Sequence, residues 1–182
     1  MQCLGTAIAD IKLIEPRVFI DARGYFFESY NQQAYQHVGI STTFVQDNES
    51  RSTYGVLRGL HCQGGDYAQA KLVRVLEGAV WDVAVDARPG SATFGQHVAY
   101  ELSAENKRQL FIPRGFLHGF IVLSDTCVFS YKCDQFYAAS AEQSVRYDDS
   151  DLGIDWRLPS DVIHVSEKDQ QAGAFFDVMG NR

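Results

Sequence analysis

The chain has 182 residues, 46% of them hydrophobic and 13% aromatic, which is enough for one packed core and excludes a disordered polymer. Its formal net charge of −7 argues against a nucleic-acid binder, which needs a basic face, yet a few placed Arg or Lys side chains would suffice for a small anionic ligand. No apolar run reaches membrane length and no charged-then-apolar leader opens the chain, so the expectation is a cytoplasmic protein of one domain, residues 1–182, with no membrane partner.

In chain order, the first regular element expected is a short helix at 31–37. Apolar runs of strand length follow at 56–61, 71–76, 79–86, 93–102, 109–113, 117–123 and 127–132, with a turn at 104–107. Gly64-Gly65, Glu77-Gly78, Arg88-Pro89-Gly90 and Ser124-Asp125 punctuate them. Short strands at this spacing predict an all-β sandwich or barrel of antiparallel strands. The stretch after Asp151 reads as irregular. Cys3, Cys62, Cys127 and Cys133 form no C-x-x-C pair and are expected to stay reduced, Cys62 and Cys127 as small buried fillers. Exposed sheet edges are expected to pair across a two-fold axis, giving a homodimer.

Strand periodicity assigns faces. Trp81, Val83 and Val85 share one face, as do Cys127, Phe129 and Tyr131, which points Tyr131 inward and Ser130 and Lys132 away. Lys71 is in phase with Val73 and Val75, which predicts an inward ammonium, although Leu72 and Leu76 make the other face apolar too. Arg58 and His61 are three apart and fall on opposite faces of a regular strand. Gly59 between them is where a bulge would turn both toward one cavity.

Two histidines stand out. Pro113, Gly115 and His118 have the Pro-x-Gly-x-x-His spacing of a cupin motif. The earlier LRGLHCQGGDYAQAK, at 57–71, keeps His61 but places Gln63 where a metal-binding cupin has a second histidine, and Tyr67 and Ala68 where a carboxylate ligand is usual. Divalent metals want neutral imidazoles and carboxylates, and Lys71 adds a repelling ammonium. The expectation is a pocket with no metal and no cofactor, built to move protons. A metal-dependent cupin using His61 and His118 as two ligands is the rival, and a sugar-binding module without catalysis is a second.

RGLHCQ at 58–63, AQAKLVRVLEGAVWDVAVDAR at 68–88, TFGQ at 93–96, LSAENKRQLFIPRGFLHGF at 102–120, YKC at 131–133, DLGIDW at 151–156 and SEKD at 166–169 resemble the dTDP-4-dehydrorhamnose 3,5-epimerase family, as do PRVFIDARGYFFES at 16–29 and FVQDN at 44–48. The resemblance spans nearly the whole chain in order. It implies a metal-free, cupin-type jelly-roll (a double-stranded β-helix) with a few short helices. It also implies a homodimer acting on dTDP-4-keto-6-deoxyglucose on the way to dTDP-L-rhamnose, or on one centre only of a related sugar. By position, His61 resembles the catalytic base, Asp169 the carboxylate that holds it, Tyr131 the acid across the ring and Lys71 the cation beside O4. His118 resembles the pocket's second histidine. Arg23, Glu28, Gln46, Asn48, Arg58, Glu142 and Lys168 match nucleotide- or sugar-contacting positions, and Phe19, Phe26 and Tyr137 match aromatics near the thymine. Glu49, Cys62, Gly64-Gly65-Asp66 and Arg157 depart from the family's usual residues.

The implied chemistry needs these residue types. A C4 ketone acidifies the hydrogens on C3 and C5, and a histidine, with a reference pKa of about 6.5, suits their removal. A carboxylate fixes its tautomer, an ammonium stabilises the enolate oxygen, and a tyrosine keeps its proton at neutral pH for return from the other face. Taken singly, each residue has a plainer reading. A strand histidine is more often structural, Tyr131 a core aromatic, Lys71 a snorkelling lysine, Arg58 a surface ion pair and Asp169 a solvated tail charge.

Overall fold

The computed structural model describes residues 1–180; the last two positions of the expected 1–182 unit, Asn181 and Arg182, lie outside the described residues. Its strands are β1 (Gln2–Leu4), β2 (Lys12–Glu15), β3 (Phe19–Asp21), β4 (Gly24–Phe26), β5 (Gln46–Thr53), β6 (Leu57–Gln63), β7 (Lys71–Glu77), β8 (Ala79–Asp86), β9 (His97–Ser103), β10 (Gln109–Ile112), β11 (Phe116–Val122), β12 (Thr126–Cys133) and β13 (Glu142–Ser144). The helices are short: α1 (Gln32–His37), α2 (Glu167–Gln170) and α3 (Phe175–Met179). Two antiparallel sheets face each other as a cupin-type jelly-roll. One has the order β1-β2-β10-β7-β12-β5 and the other β13-β6-β11-β8-β9, while β3 and β4 form a separate hairpin.

Three apolar clusters explain the strand patterns. Between the sheets, Val73, Val75, Leu110, Ile112, Cys127 and Phe129 meet Val80, Ala84, Val98, Leu102, Phe116, Phe120 and Val122. The outer face of the five-stranded sheet packs Leu57, Val83, Val85, Leu117 and Ile121 against Leu152, Trp156, Phe175 and Met179 of the carboxyl-terminal segment. That sheet is therefore covered on both faces, and β11 is buried at every position. On the outer face of the other sheet, Leu72, Phe111 and Ile14 pack beneath Tyr35 of α1. This resolves Lys71: Leu72 points out toward α1, so Lys71, Val73 and Val75 point in. Leu76, by contrast, is 38% exposed.

The segment after Asp151 departs from the irregular reading. It carries α2 and α3, pinned by Leu57 N donating to His164 O at 2.8 Å and Arg146 N donating to Gly173 O at 2.9 Å. Helices of four or five residues leave almost no periodicity to read. The strand β5 was also missed, because QDNESRST has no apolar alternation; it pairs with β12 from Gln46↔Cys133 to Thr53↔Thr126. Arg157, where proline is common, sits at φ +66° with its guanidinium 4.6 Å from the Trp81 ring centroid. Proline could not adopt that φ. Among the described residues no disulfide joins the four cysteines. No helix among them is long and apolar enough to cross a membrane.

Candidate active site

The irregularity expected at Gly59 is present. On β11, His118 faces His61 and Phe120 faces Arg58, so two steps on β11 match three on β6. The extra residue places Arg58 and His61 on the same cavity. Gly59 has φ +124°, and a Cβ there would stand 2.6 Å from Gly119 Cα and 2.7 Å from His118 O, so only glycine fits.

A cavity of about 470 Å³ opens between the sheets, and Arg58, His61, Lys71, His118, Tyr131, Lys168 and Asp169 all line it. His61 and His118 come from the five-stranded sheet, Lys71 and Tyr131 from the opposite one. Asp169 comes from α2. Its placement is written in SEKD: Ser166 caps α2, accepting the Asp169 amide at 3.2 Å, which turns the carboxylate toward β6. His61 Nε2 lies 2.6 Å from Asp169 Oδ1, and the Gly59 amide donates to Asp169 Oδ2 at 3.4 Å. Burial alone would raise the Asp169 carboxyl, but its bonds from His61, Gly59 and Ser166 outweigh this and hold it below its ordinary value. An ionised carboxylate only accepts, so the neutral His61 ring carries its proton on Nε2 and its lone pair on Nδ1.

Burial lowers the Lys71 ammonium from its ordinary value, opposed by Cys133, Cys62, Asp82 and Glu142. Lys71 Nζ stands 5.8 Å from the Tyr131 ring centroid. Burial raises the Tyr131 phenol above its ordinary value, so it stays protonated at neutral pH. Tyr131 leans on Phe129 (centroids 6.1 Å apart), which stacks on Phe120 at 4.0 Å. His118 is buried with Nε2 2.9 Å from Asp82 Oδ2; burial lowers its imidazole and raises the Asp82 carboxyl, so both partners are pushed toward their neutral forms.

Around this centre, Arg58 Nε donates to Ser52 Oγ at 3.1 Å. Gln46 Nε2 donates to Asn48 Oδ1 at 2.9 Å and Asn48 Nδ2 to Cys133 Sγ at 3.7 Å, beside Lys71 across the ladder. Glu142 accepts from Lys168 at 2.5 Å and from the Tyr137 hydroxyl at 2.8 Å, which joins Tyr137 to the cavity edge. Four of the expected site residues lie elsewhere. Phe19, Arg23 and Phe26 line a depression on the β3–β4 hairpin, where Arg23 pairs with Asp21 at 2.6 Å. Glu28 accepts from Asn31 Nδ2 at 3.0 Å ahead of α1.

Asp82 was missed. It is fully buried, and its Oδ1 has no hydrogen-bond partner among the described residues. The signal was an acid sharing a strand face with Val80 and Ala84. Ser50 and Glu49 of β5 and Phe120 also line the cavity.

Comparison with known proteins agrees with this fold. The family pattern described as dTDP-4-dehydrorhamnose 3,5-epimerase matches residues 5–177. The dTDP-4-dehydrorhamnose 3,5-epimerase of Pseudomonas aeruginosa is 55% identical over 178 residues, 97% of each chain. The crystal structure of dTDP-4-dehydrorhamnose 3,5-epimerase from Elizabethkingia anophelis superposes with a TM-score of 0.93 at 58% identity, covering 97% of each chain. The Legionella pneumophila dTDP-6-deoxy-D-glucose-3,5-epimerase, solved in complex with dTDP-4-keto-L-rhamnose, gives 0.92 at 50% identity over 96% of this chain and 92% of its own. With the fold, the cavity and these likenesses in agreement, this chain belongs to the dTDP-4-dehydrorhamnose 3,5-epimerase family.

Proposed function

We propose that this chain is an isomerase that inverts C3 and C5 of dTDP-4-keto-6-deoxy-D-glucose through an enolate, in the formation of dTDP-L-rhamnose. The observation that carries the reading is the His61–Asp169 pair, 2.6 Å apart, on one wall of a cavity whose opposite wall presents Tyr131 and Lys71. His61 removes the hydrogen beside the ketone, and Asp169 stabilises the imidazolium that forms. Lys71 offsets the negative charge developing on O4. Tyr131 delivers a proton to the opposite face, which inverts the centre. Arg58 and Lys168 hold the diphosphate, with Gln46, Asn48, His118 and Glu142 placed around the sugar and nucleotide. The chain acts as one cupin-like unit in the cytoplasm, as a homodimer. Phe19, Arg23, Phe26 and Glu28 then reach a nucleotide through the cavity of a second copy.

Lys71→Met keeps most of the side chain's packing and removes the cation. It is expected to lower kcat by about 10²–10³, the cost of losing one preorganised charge-stabilising group, with a much smaller change in dTDP affinity measured by calorimetry. The activity itself is tested by incubating the protein with dTDP-4-keto-6-deoxyglucose in deuterated water and trapping the product with a downstream reductase. Deuterium at both C3 and C5 is expected. A single labelled carbon would instead make the chain a mono-epimerase, and no label would reject the reading.

A further inference from the structure

Two residues beyond His61, at the end of β6, Gln63 is 5% exposed and does not line the cavity. Its amide is committed elsewhere. Nε2 donates to Tyr67 O at 2.7 Å and to Phe136 O at 3.2 Å, and Oε1 accepts from the Ala138 amide at 2.7 Å. Both N–H donors and one acceptor site are thus spent on main chain. The groups they tie belong to two different loops: the turn Gly65–Tyr67 and the segment 134–138. Gln69 and Gln135 add further stitches between the two regions, Gln69 Nε2 to Gln135 O at 2.7 Å and Gln135 Nε2 to Asp66 O at 3.4 Å.

What those loops display is unusual for solvent-facing turns. Tyr67, Phe136 and Tyr137 are 51%, 63% and 59% exposed. A loop opening on Gly64-Gly65 has large conformational freedom, so these rings would not hold one geometry unaided. Tyr137 is also the ring joined to the cavity edge, through Glu142 and Lys168. The buried amide of Gln63 therefore connects the catalytic strand to the aromatic rim without touching the proton-transfer groups.

We infer that Gln63 is a positioning residue for substrate binding: it clamps the two loops so that Tyr137 presents a fixed aromatic face to the base of the nucleotide. This rests on the nucleotide-sugar reading above and adds to it which residue sets the rim. A side chain at this position governs binding, while His61 on the same strand governs chemistry.

Gln63→Met preserves length and apolar bulk and deletes the amide. The expected result is a rise of about tenfold in KM for dTDP-4-keto-6-deoxyglucose and in Kd for dTDP, with a far smaller fall in kcat. In a Tyr137→Ala background the same substitution should change the dTDP Kd by less than about twofold, because its effect runs through that ring. Additive losses in this cycle would overturn the assignment. So would a fall in kcat with Kd unchanged, or a lower Tm with both constants intact. If Gln63→Met does not fold, Gln63→Glu keeps the acceptor for Ala138, loses both donors, and must show the same rise in Kd. If the unmodified protein neither binds dTDP nor exchanges substrate hydrogens, the functional reading has failed. The clamp is then judged alone by hydrogen exchange, which must quicken at 65–68 and 136–138 in Gln63→Met; unchanged protection there would reject it.

Discussion

Replacing His61 with asparagine is expected to lower the rate of C3 and C5 exchange by about 10³, within the 10²–10⁴ that a positioned general base contributes. Asparagine is shorter than histidine and its amide reaches only as far as the ring's Nδ1, so both the proton acceptor and the Nε2 bond to Asp169 are lost, while the fold and dTDP binding should persist. Asp169→Asn should cost a similar factor by a different route. The carboxylate fixes the ring proton on Nε2 and, on the proposed assignment, leaves Nδ1 as the base. A neutral amide presents either a donor or an acceptor there, so it no longer enforces that tautomer, and it cannot stabilise the imidazolium. Because contacts with His61, Gly59 and Ser166 hold Asp169 below the ordinary carboxyl range, it is ionised at every pH at which the enzyme would work. The two single variants and the double variant are compared by deuterium uptake from solvent. Effects that fail to add would show that the pair acts as one unit. Near-normal exchange in His61→Asn would remove the histidine from the mechanism.

How far this site was legible in the sequence varies by residue, for physical reasons. Tyr131 was readable because β12 separates the sandwich core from the polar outer face: Cys127 and Phe129 are buried in phase with it, while Ser130 and Lys132 alternate outward. The bulge at Gly59 was readable because two needed side chains stood three apart around a glycine. Lys71 was ambiguous on pattern alone, since α1 covers the outer face of its strand and makes both faces apolar. Asp169 was beyond periodicity altogether. Its helix has four residues, and its meeting with His61 depends on a chain return more than a hundred residues later, fixed by the His164 bridge to β6. Only the family resemblance linked SEKD to the strand histidine. Asp82 shows the reverse error: its strand was placed correctly, but attention to the Trp81 face left the acid on the other face without a role. The hairpin residues Phe19, Arg23 and Phe26 came from resemblance too, and within one chain they stand apart from the cavity.

Tyr131→Phe is expected to separate two events that normally occur together. On the proposed assignment, removal of the hydrogen belongs to His61 and enolate stabilisation to Lys71, so solvent deuterium should still enter the substrate, within about tenfold of the normal rate. Return of a proton to the other face needs the phenol, so inversion should fall by about 10²–10⁴, the usual contribution of a positioned general acid. Phenylalanine preserves the contact with Phe129 and suits a site where the ring is largely buried, so Tm should change little. The predicted product is starting sugar carrying deuterium with its configuration retained, because the protonated His61 hands a solvent-derived hydron back to the face it came from. Nuclear magnetic resonance of the recovered sugar distinguishes retention from inversion directly. Equal losses of exchange and inversion would mean that Tyr131 supports enolate formation itself, and the assignment of donor and acceptor to opposite walls would have to be abandoned.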